Sequence, residues 1–192
     1  MRTTIAIAAY AIALAACSQE GESTTAPAAA AESDVSVYAD ALARASRPES
    51  DIASDATRKP ADVLRFFGIK PGDIVLEMWA AGGYYTELLS AVVGPDGKVI
   101  AHDNTPSLNF AAETHANRHA GKRLPNVELL GAEINELQLE QARFDAITIG
   151  LNDHDVYWTS EEYGWVGIDV APFVAELYKG LKPGGILGIV DN

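Results

Sequence analysis

The stretch from Ile69 to Leu89 constrains the fold of this chain most, because it predicts one continuous strand, loop and helix. A tight turn at residues 71–72 precedes an apolar run, Ile74 to Met78, that is typical of a buried strand. Small residues at positions 80–83 follow, and a helical pattern comes directly after them. Such a unit lets the backbone approach a ligand closely at a helix N-terminus, as it does in nucleotide-type cofactor sites.

The rest of the chain predicts a doubly wound α/β fold. Four further apolar runs predict strands at residues 98–102, 127–130, 146–150 and 186–190. Helical patterns separate these runs, and continuous apolar strands that alternate with helices are typical of a parallel sheet covered on both faces. Right-handed crossovers then make the sheet doubly wound. We therefore expect a mostly parallel sheet of five strands.

The helical patterns differ in clarity. Helices are predicted at residues 35–45, 61–67, 84–93, 108–119 and 168–181. The polar segment 50–58 is expected to be irregular, with Asp51, Asp55 and Arg58 placed to cap or to pair. The segment 152–167 mixes aromatic and polar residues and has no period that predicts either a helix or a strand.

Composition limits the partners of this chain. Its 192 residues are 48% hydrophobic, which is enough for one globular domain with a core of its own. The formal net charge is −13, and only 14 Lys and Arg residues are scattered along the sequence. A nucleic-acid-binding protein needs a basic face, so no nucleic-acid partner is expected, whereas a neutral or cationic ligand is allowed.

The N-terminus has the features of a secretory signal. A positive start at residues 1–2 precedes an apolar run, Ile5 to Ala13, that is too short to span a bilayer. The chain's single cysteine, Cys17, comes directly after two alanines. We expect a signal peptide at residues 1–16, a disordered tether at 17–33 that lacks periodic apolar residues, and a folded domain at 34–192.

The residues around Cys17 resemble the bacterial lipobox, in which the cysteine is acylated after cleavage before it. The resemblance implies a lipid anchor at Cys17, with the domain facing the periplasm. Ser18, rather than aspartate, after the cysteine resembles sorting to the outer membrane. The alternative is an ordinary signal peptide whose cysteine is incidental.

Several motifs occur in an order that resembles the class I S-adenosylmethionine-dependent methyltransferases. They are L-x-x-F-G-I-K-P-G-D-x-V-L-E, G-P-D-G-K-V-I-A-H-D, N-V-E-L-L, F-D-A-I and L-K-P-G-G-I-L. More narrowly, E-M-W-A-A-G-G-Y-Y-T-E-L-L and L-N-D-H-D-V-Y-W resemble a branch of secreted or lipid-anchored predicted methyltransferases. The resemblance implies a Rossmann-like sheet, S-adenosylmethionine as cofactor, and a C-terminal hairpin after the fifth strand. Because the sequence stops at Asn192, we expect that hairpin to be missing.

The resemblance also implies which residues bind the cofactor. The acidic residue at the end of the first strand holds the loop or the methionine part, two glycines let the backbone pass the cofactor, and the acidic residue ending the second strand takes the ribose hydroxyls. Residues after the third strand contact the adenine, and the residue after the fourth strand lies on the acceptor side. The predicted set is Glu77, Trp79, Gly82, Gly83, Asp103, Glu133 and Asn152.

The loop departs from the common pattern of an acidic residue followed by x-Gly-x-Gly-x-Gly. That pattern has glycine at positions 79, 81 and 83, and this chain has glycine only at Gly83. Trp79 fits the narrower branch, whereas Ala81 fits neither pattern. We expect the Ala81 methyl group to crowd the cofactor or to force the loop outward.

His154 is the predicted general base, with Asp155 as its partner. Asp153 and Asp155 flank it in sequence, and carboxylates at this distance are expected to orient the imidazole and to raise its pKa. The structural alternative is a loop histidine that bonds a neighbouring carboxylate. His115 and His119 have the i, i+4 spacing of a helical zinc pair but lack the accompanying glutamate, so no metal site is predicted.

Two functions are compatible with these residues. The first is a methyltransferase that uses S-adenosylmethionine on a small molecule. The second is a non-catalytic envelope or binding protein on the same fold, because the signal would export the domain from the compartment that supplies the cofactor. A different enzyme centred on residues 152–155 is a lesser possibility. The sequence lacks Gly-x-Ser-x-Gly, Walker and Gly-x-Gly-x-x-Gly motifs, which argues against serine hydrolases, P-loop enzymes and NAD enzymes.

Overall fold

The structure is a computed structural model that describes residues 36–191. The predicted signal peptide, Cys17 and the predicted tether therefore lie outside the described residues. In the range that is described, no helix combines the length and the apolar character needed to cross a membrane.

The described chain alternates helices with strands. The helices are α1 (36–42), α2 (Glu49–Arg58), α3 (Pro60–Phe66), α4 (Tyr84–Val93), α5 (Thr105–Phe110), α6 (Ala112–His119) and α7 (Val170–Gly180). The strands are β1 (Ile74–Met78), β2 (Lys98–Asp103), β3 (Val127–Gly131), β4 (Phe144–Gly150) and β5 (Leu181–Val190). Short 3-10 turns occur at Ala120–Lys122, Ile134–Glu136 and Asp153–Val156.

The five strands form one sheet in the order β3-β2-β1-β4-β5. Every pairing is parallel, and Leu76 in the central strand lies between Ile100 of β2 and Ile147 of β4. This confirms the predicted doubly wound parallel sheet. Because the strand order reverses at β1 and β4, the carboxyl ends of these two strands form the edge where such folds bind ligands.

Both faces of the central strands β1, β2 and β4 are covered, which explains why these strands are apolar runs, whereas the edge strands β3 and β5 are largely exposed. Val75 and Leu76 are both fully buried, yet they point to opposite faces because side chains alternate along a strand. Val75 packs in a cluster with α1, α3 and α4, and Leu76 packs in a second cluster with α7. Each layer removes large apolar side chains from water, the main favourable contribution to folding.

The segment 50–58 was predicted to be irregular, and this prediction is wrong. Residues Glu49–Arg58 form helix α2, which has no buried residue. Polar contacts hold it: the Asp55 carboxylate accepts from both terminal nitrogens of Arg47 at 2.6 and 2.7 Å, and Asp51 pairs with Arg118 at 2.7 Å. A helix attached by ion pairs rather than by an apolar stripe shows no hydrophobic period, so the pattern missed it.

Two predicted boundaries also shift. The helix predicted at 108–119 is divided at Ala111 into α5 and α6, and α5 begins at Thr105 because Asn104 caps it, accepting from the Ser107 N–H at 3.1 Å. Residues 182–185, Lys-Pro-Gly-Gly, have the composition of a turn, yet they lie inside β5, where the register with β4 shifts as in a β-bulge.

A buried ionic cluster joins the helices above the sheet. The Glu87 carboxylate, 1% exposed, accepts hydrogen bonds from Arg118 and from two nitrogens of Arg123, at 2.6 and 3.0 Å for Arg123. Ser46 donates to the same carboxylate at 3.0 Å. The cluster therefore links α4, α6 and the segment before α2, and the guanidinium groups hold the pKa of Glu87 below its usual value despite burial.

Glu87→Gln should reduce the free energy of unfolding by about 3 kcal/mol, because it leaves two guanidinium groups without their shared anion. Urea unfolding followed by circular dichroism measures this change. Glu113→Gln on the exposed surface of α6 is the matched control and should change stability by less than about 0.5 kcal/mol. Equal effects of the two substitutions would contradict a stabilising role of the cluster.

Candidate functional site

A cleft of about 650 Å³ lies at the carboxyl ends of β1 and β4. Its floor is the loop at residues 79–83 with Glu77, and residues 150–152 after β4 form one side. Helix α2, the start of α4 and helix α6 provide the remaining walls. The cleft therefore lies where the strand order reverses, the position at which open α/β sheets bind ligands.

The loop backbone adopts left-handed geometry at alternate residues. The φ angle is 52° at Trp79, 48° at Ala81 and 76° at Gly83. These are the three positions at which the common loop pattern has glycine, so this chain keeps a glycine-like backbone with other side chains at two of them. A left-handed non-glycine residue costs about 1–2 kcal/mol, so the surroundings must hold the loop in place.

Packing and a hydrogen bond hold the strained loop. The Trp79 ring is 2% exposed and lies against Trp165 and Phe173, with centroid distances of 6.3 and 5.7 Å. The Ala81 N–H donates to Asp103 Oδ1 at 2.8 Å. Ala81 thus keeps a φ angle that glycine adopts without strain, and the expected effect of its methyl group on the cofactor or on the loop stays a prediction.

The two loop glycines are required by helix α6. A Cβ atom on Gly83 would lie 2.7 Å from Arg118 Cγ, and one on Gly82 would lie 2.9 Å from Thr114 Oγ1. Arg118 Nε also donates to the Gly82 carbonyl at 3.0 Å. The absence of a side chain at Gly82 and Gly83 therefore lets helix α6 pack against the loop, and it also leaves the loop backbone accessible to a ligand.

Glu77 lies at the floor of the cleft and is 5% exposed. Thr86 Oγ1 donates to its carboxylate at 2.6 Å, and burial raises the pKa of Glu77 to about 8. The side chain is therefore mostly protonated at neutral pH and adds little negative charge to the cleft.

Asp103 has one carboxylate oxygen in use and one without a partner. Oδ1 accepts from the Ala81 N–H and from the Ser107 hydroxyl at 2.6 Å. Oδ2 is buried and has no hydrogen-bond partner within residues 36–191. Burial raises the pKa of this carboxyl group. A buried acceptor without a partner is costly, and a ligand hydroxyl that donates to it would remove that cost, so the residue fits the predicted ribose contact.

Glu133 follows β3, directly before the turn Ile134–Glu136, and contacts helix α5. Its carboxylate accepts from the N–H of Thr105 at 3.0 Å and from the Thr105 hydroxyl at 2.6 Å. The preceding carbonyl, that of Ala132, contacts His102 Nε2 at 2.9 Å. Glu133 therefore has a structural partner, and its predicted contact with adenine stays a prediction.

His154 lies in the 3-10 turn Asp153–Val156 and has a partner that the sequence argument missed. Its Nδ1 is 2.9 Å from Asp191 Oδ2, and its N–H donates to the same oxygen at 3.0 Å. Asp155, the predicted partner, is 3.8 Å from Nε2 and accepts from Asn152 Nδ2 at 3.1 Å. Asp191 directly follows β5, and the turn that carries His154 follows β4. Because β4 and β5 are parallel neighbours, their carboxyl ends lie side by side, and this was the sequence signal for the pair.

The structure brings only part of the predicted set to the cleft. Its lining includes Glu77, Trp79, Gly82, Gly83 and Asn152. Asp103 joins them through its bond to the loop, whereas the Glu133, His154 and Asp155 side chains lie outside the lining. These assignments stay predictions.

Three arginines of the lining are absent from the predicted site residues: Arg58, Arg118 and Arg123. Arg58 was expected only to cap or to pair. The one signal for two of them is Glu87, a single charge in a helix whose ten residues are all buried. A buried carboxylate requires cationic or hydrogen-bonding partners.

The histidine pair on α6 lies in a partly buried, positively charged setting. The His115 and His119 rings lie 4.7 Å apart, and burial together with nearby positive charges lowers the pKa of His119 to about 4. In the described part of the chain, no group of three potential metal ligands is present.

Ala81→Gly should raise the free energy of unfolding by about 0.5–1 kcal/mol, since it removes the left-handed strain at some cost in unfolded-chain entropy. Thermal and urea unfolding measure the change. Ala175→Gly, at an exposed position in α7, is the matched control and should lower stability by about 1 kcal/mol. Destabilisation at both positions would show that the loop is not strained at Ala81.

Comparisons with known proteins agree with this geometry. The family described as Protein-L-isoaspartate(D-aspartate) O-methyltransferase (PCMT) matches residues 31–158. A chloroplastic 2-phytyl-1,4-beta-naphthoquinone methyltransferase of Arabidopsis thaliana is 29% identical over 124 residues, covering 65% of this chain and 43% of that protein. A demethylmenaquinone methyltransferase of Lactococcus lactis is 30% identical over 133 residues, covering 69% and 47%. The chain thus spans about half the length of these curated relatives.

A solved structure supports the same fold. The crystal structure of a SAM-dependent methyltransferase from Aquifex aeolicus matches with a TM-score of 0.56 and 31% identity, covering 72% of this chain and 66% of that one. Together with the family match, this similarity implies that S-adenosylmethionine is the cofactor of the chain. From the match over residues 31–158, the chain belongs to the Protein-L-isoaspartate(D-aspartate) O-methyltransferase (PCMT) family, and thus to the class I S-adenosylmethionine-dependent methyltransferases.

Proposed function

We propose that this chain is a methyltransferase that transfers the methyl group of S-adenosylmethionine to a small-molecule acceptor. The observation that carries the proposal is the unpartnered, buried Oδ2 of Asp103 at the end of β2, beside a loop with glycine-like geometry. Two curated relatives are named for methylating naphthoquinones or demethylmenaquinone, which are small molecules, and this supports the acceptor class.

Residues of this chain would hold and orient the reactants. S-adenosylmethionine supplies a methyl group on a cationic sulfur, and transfer requires the acceptor to lie in line with it. Asp103 would accept hydrogen bonds from the ribose, and the loop at 79–83 with Glu77 would line the opposite end of the bound cofactor. Proximity and orientation are the main contributions that a protein can make to such a displacement.

The segment after β4 would serve the acceptor. Asn152 lines the cleft, and His154 lies in the turn that follows. If the acceptor is a hydroxyl or an amine, His154 would take its proton at Nε2 while Asp191 accepts from Nδ1–H, as in other base and orienter pairs. Asp155 would hold Asn152 in position through the bond between their side chains.

Binding of the cofactor tests this proposal. Isothermal titration of the full chain with S-adenosylmethionine should show binding, and Asp103→Asn should weaken it roughly tenfold or more, because it removes a charged acceptor. Asp96→Asn, in an exposed turn, is the control and should bind as the wild type does.

The possible outcomes distinguish a failure of the methyltransferase function from a failure of the Asp103 assignment. No binding at millimolar cofactor would overturn the methyltransferase function and favour the non-catalytic role considered from the sequence. Binding that Asp103→Asn leaves unchanged would refute the ribose assignment alone. Thermal unfolding of each variant separates a loss of affinity from a loss of folded protein.

We also propose that the protein is exported and anchored in the bacterial envelope by a lipid on Cys17, within the secreted branch that its motifs resemble. The support is the sequence alone, in which the single cysteine directly follows two alanines. Cys17→Ser should move the protein from the membrane fraction to the soluble fraction of fractionated cells. Ser18→Ala is the control and should stay in the membrane fraction, and a membrane-bound Cys17→Ser variant would exclude the anchor.

A further inference from the structure

We infer that Arg58 is the anion-binding residue of the cleft and that it takes the carboxylate at the amino-acid end of the cofactor. The inference rests on the proposed function and adds to it a residue on helix α2, which the sequence argument expected to be irregular. It is carried by the distribution of charge around the cleft and by the direction in which the cleft runs across the sheet.

The lining of the cleft contains three guanidinium groups, and two of them are neutralised. Arg118 donates to Glu87 and, at 2.7 Å, to Asp51. Arg123 donates to both oxygens of the same Glu87 carboxylate. These two arginines therefore belong to the buried ionic cluster and are committed to holding helices together.

Arg58 differs from them, because it forms no ion pair and no hydrogen bond within the range 36–191. Its guanidinium lies over the Tyr84 ring, 4.3 Å from the centroid. Asp55, one turn earlier on α2, is already engaged: it accepts from two nitrogens of Arg47 and from the Tyr84 hydroxyl at 2.7 Å. A guanidinium stacked on a ring keeps its in-plane N–H groups available, and their fork matches a carboxylate.

No other charge in the lining competes for this cation. The acidic residues there are Asp51, which is paired with Arg118, and Glu77, which burial keeps mostly protonated at neutral pH. The charge of Arg58 helps to lower the pKa of Asp55, but Asp55 is already paired with Arg47, so these three side chains keep one net positive charge in a chain whose net charge is −13. It favours an anionic group on the ligand.

The position of Arg58 in the cleft indicates which end of the cofactor lies near it. Asp103 ends β2, which lies on the β3 side of β1, so the ribose would lie on that side. Arg58 lies over Tyr84 at the start of α4, which is next to the end of β4: a Cβ atom on Gly150 would be 2.9 Å from Tyr85. A ligand whose ribose lies at Asp103 and which crosses the loop at 79–83 therefore extends toward Arg58 with its amino-acid end.

Two ligands that differ only in the carboxylate test the assignment. Isothermal titration of the full chain compares S-adenosylmethionine with decarboxylated S-adenosylmethionine. The wild type should prefer the carboxylate-bearing ligand by roughly tenfold or more. Arg58→Gln should reduce that preference to less than about threefold by weakening only the carboxylate-bearing ligand, and Arg58→Lys should retain part of it because the charge remains.

Arg65→Gln is the matched control. Arg65 also lies over a tyrosine ring, that of Tyr38 at 5.7 Å, but it is on α3, outside the cleft lining, and pairs with Asp62. This variant should keep the full wild-type preference. Circular dichroism verifies that each variant is folded.

The results distinguish this inference from the proposed function. If the wild type binds both ligands and Arg58→Gln keeps the wild-type preference, the assignment of Arg58 is overturned while the cofactor site stands. If Arg58→Gln weakens both ligands equally, Arg58 does not read the carboxylate and the assignment is again overturned. If the wild type binds neither ligand, the proposed function fails and the inference fails with it.

Discussion

The buried carboxylate of Glu87 is the interaction on which the walls of the cleft depend. It accepts from Arg118 and Arg123, and Arg118 in turn donates to the Gly82 carbonyl and to Asp51 of α2. One anion thereby fixes the loop, the helix above it and the helix that closes the cleft. Burying so many charged groups is costly, and the geometry offsets that cost only because each group has its partner.

The backbone conformation of the loop at residues 79–83 also depends on the residues packed around it. Trp79 and Ala81 adopt backbone angles that glycine would adopt without strain, and so does Leu151, with φ of 65°, on the opposite side of the cleft. Three of the six left-handed non-glycine residues in the described range therefore line one cleft. Backbone strain that collects at one site is typical of a position where geometry serves a ligand.

The net charge of the chain does not predict the charge that a ligand meets in the cleft. A net charge of −13 argues against a nucleic-acid partner, but it gives no information about the charges inside a cleft of about 650 Å³. Within that cleft, pairing decides which charges a ligand meets. Arg118 and Arg123 are neutralised by Glu87 and Asp51 together, whereas Arg58 lies over a tyrosine ring. Of the three arginines that line the cleft, Arg118 and Arg123 form ion pairs, and Arg58 forms none within residues 36–191.

The sequence by itself determined the sheet and the class of the protein. The central strands β1, β2 and β4 are largely buried and therefore form apolar runs, the edge strands β3 and β5 have apolar runs although they are largely exposed, and the glycine-bearing loop after β1 marked the ligand edge. What only the tertiary structure decided are the pairs between distant residues: Asp51 with Arg118, His154 with Asp191, and Asp103 with the Ala81 N–H. Helix α2 was missed for the same reason, because it is held by ion pairs. Hydrophobic burial leaves a period in the sequence, whereas an ion pair leaves two unrelated letters, and only the fold brings them together.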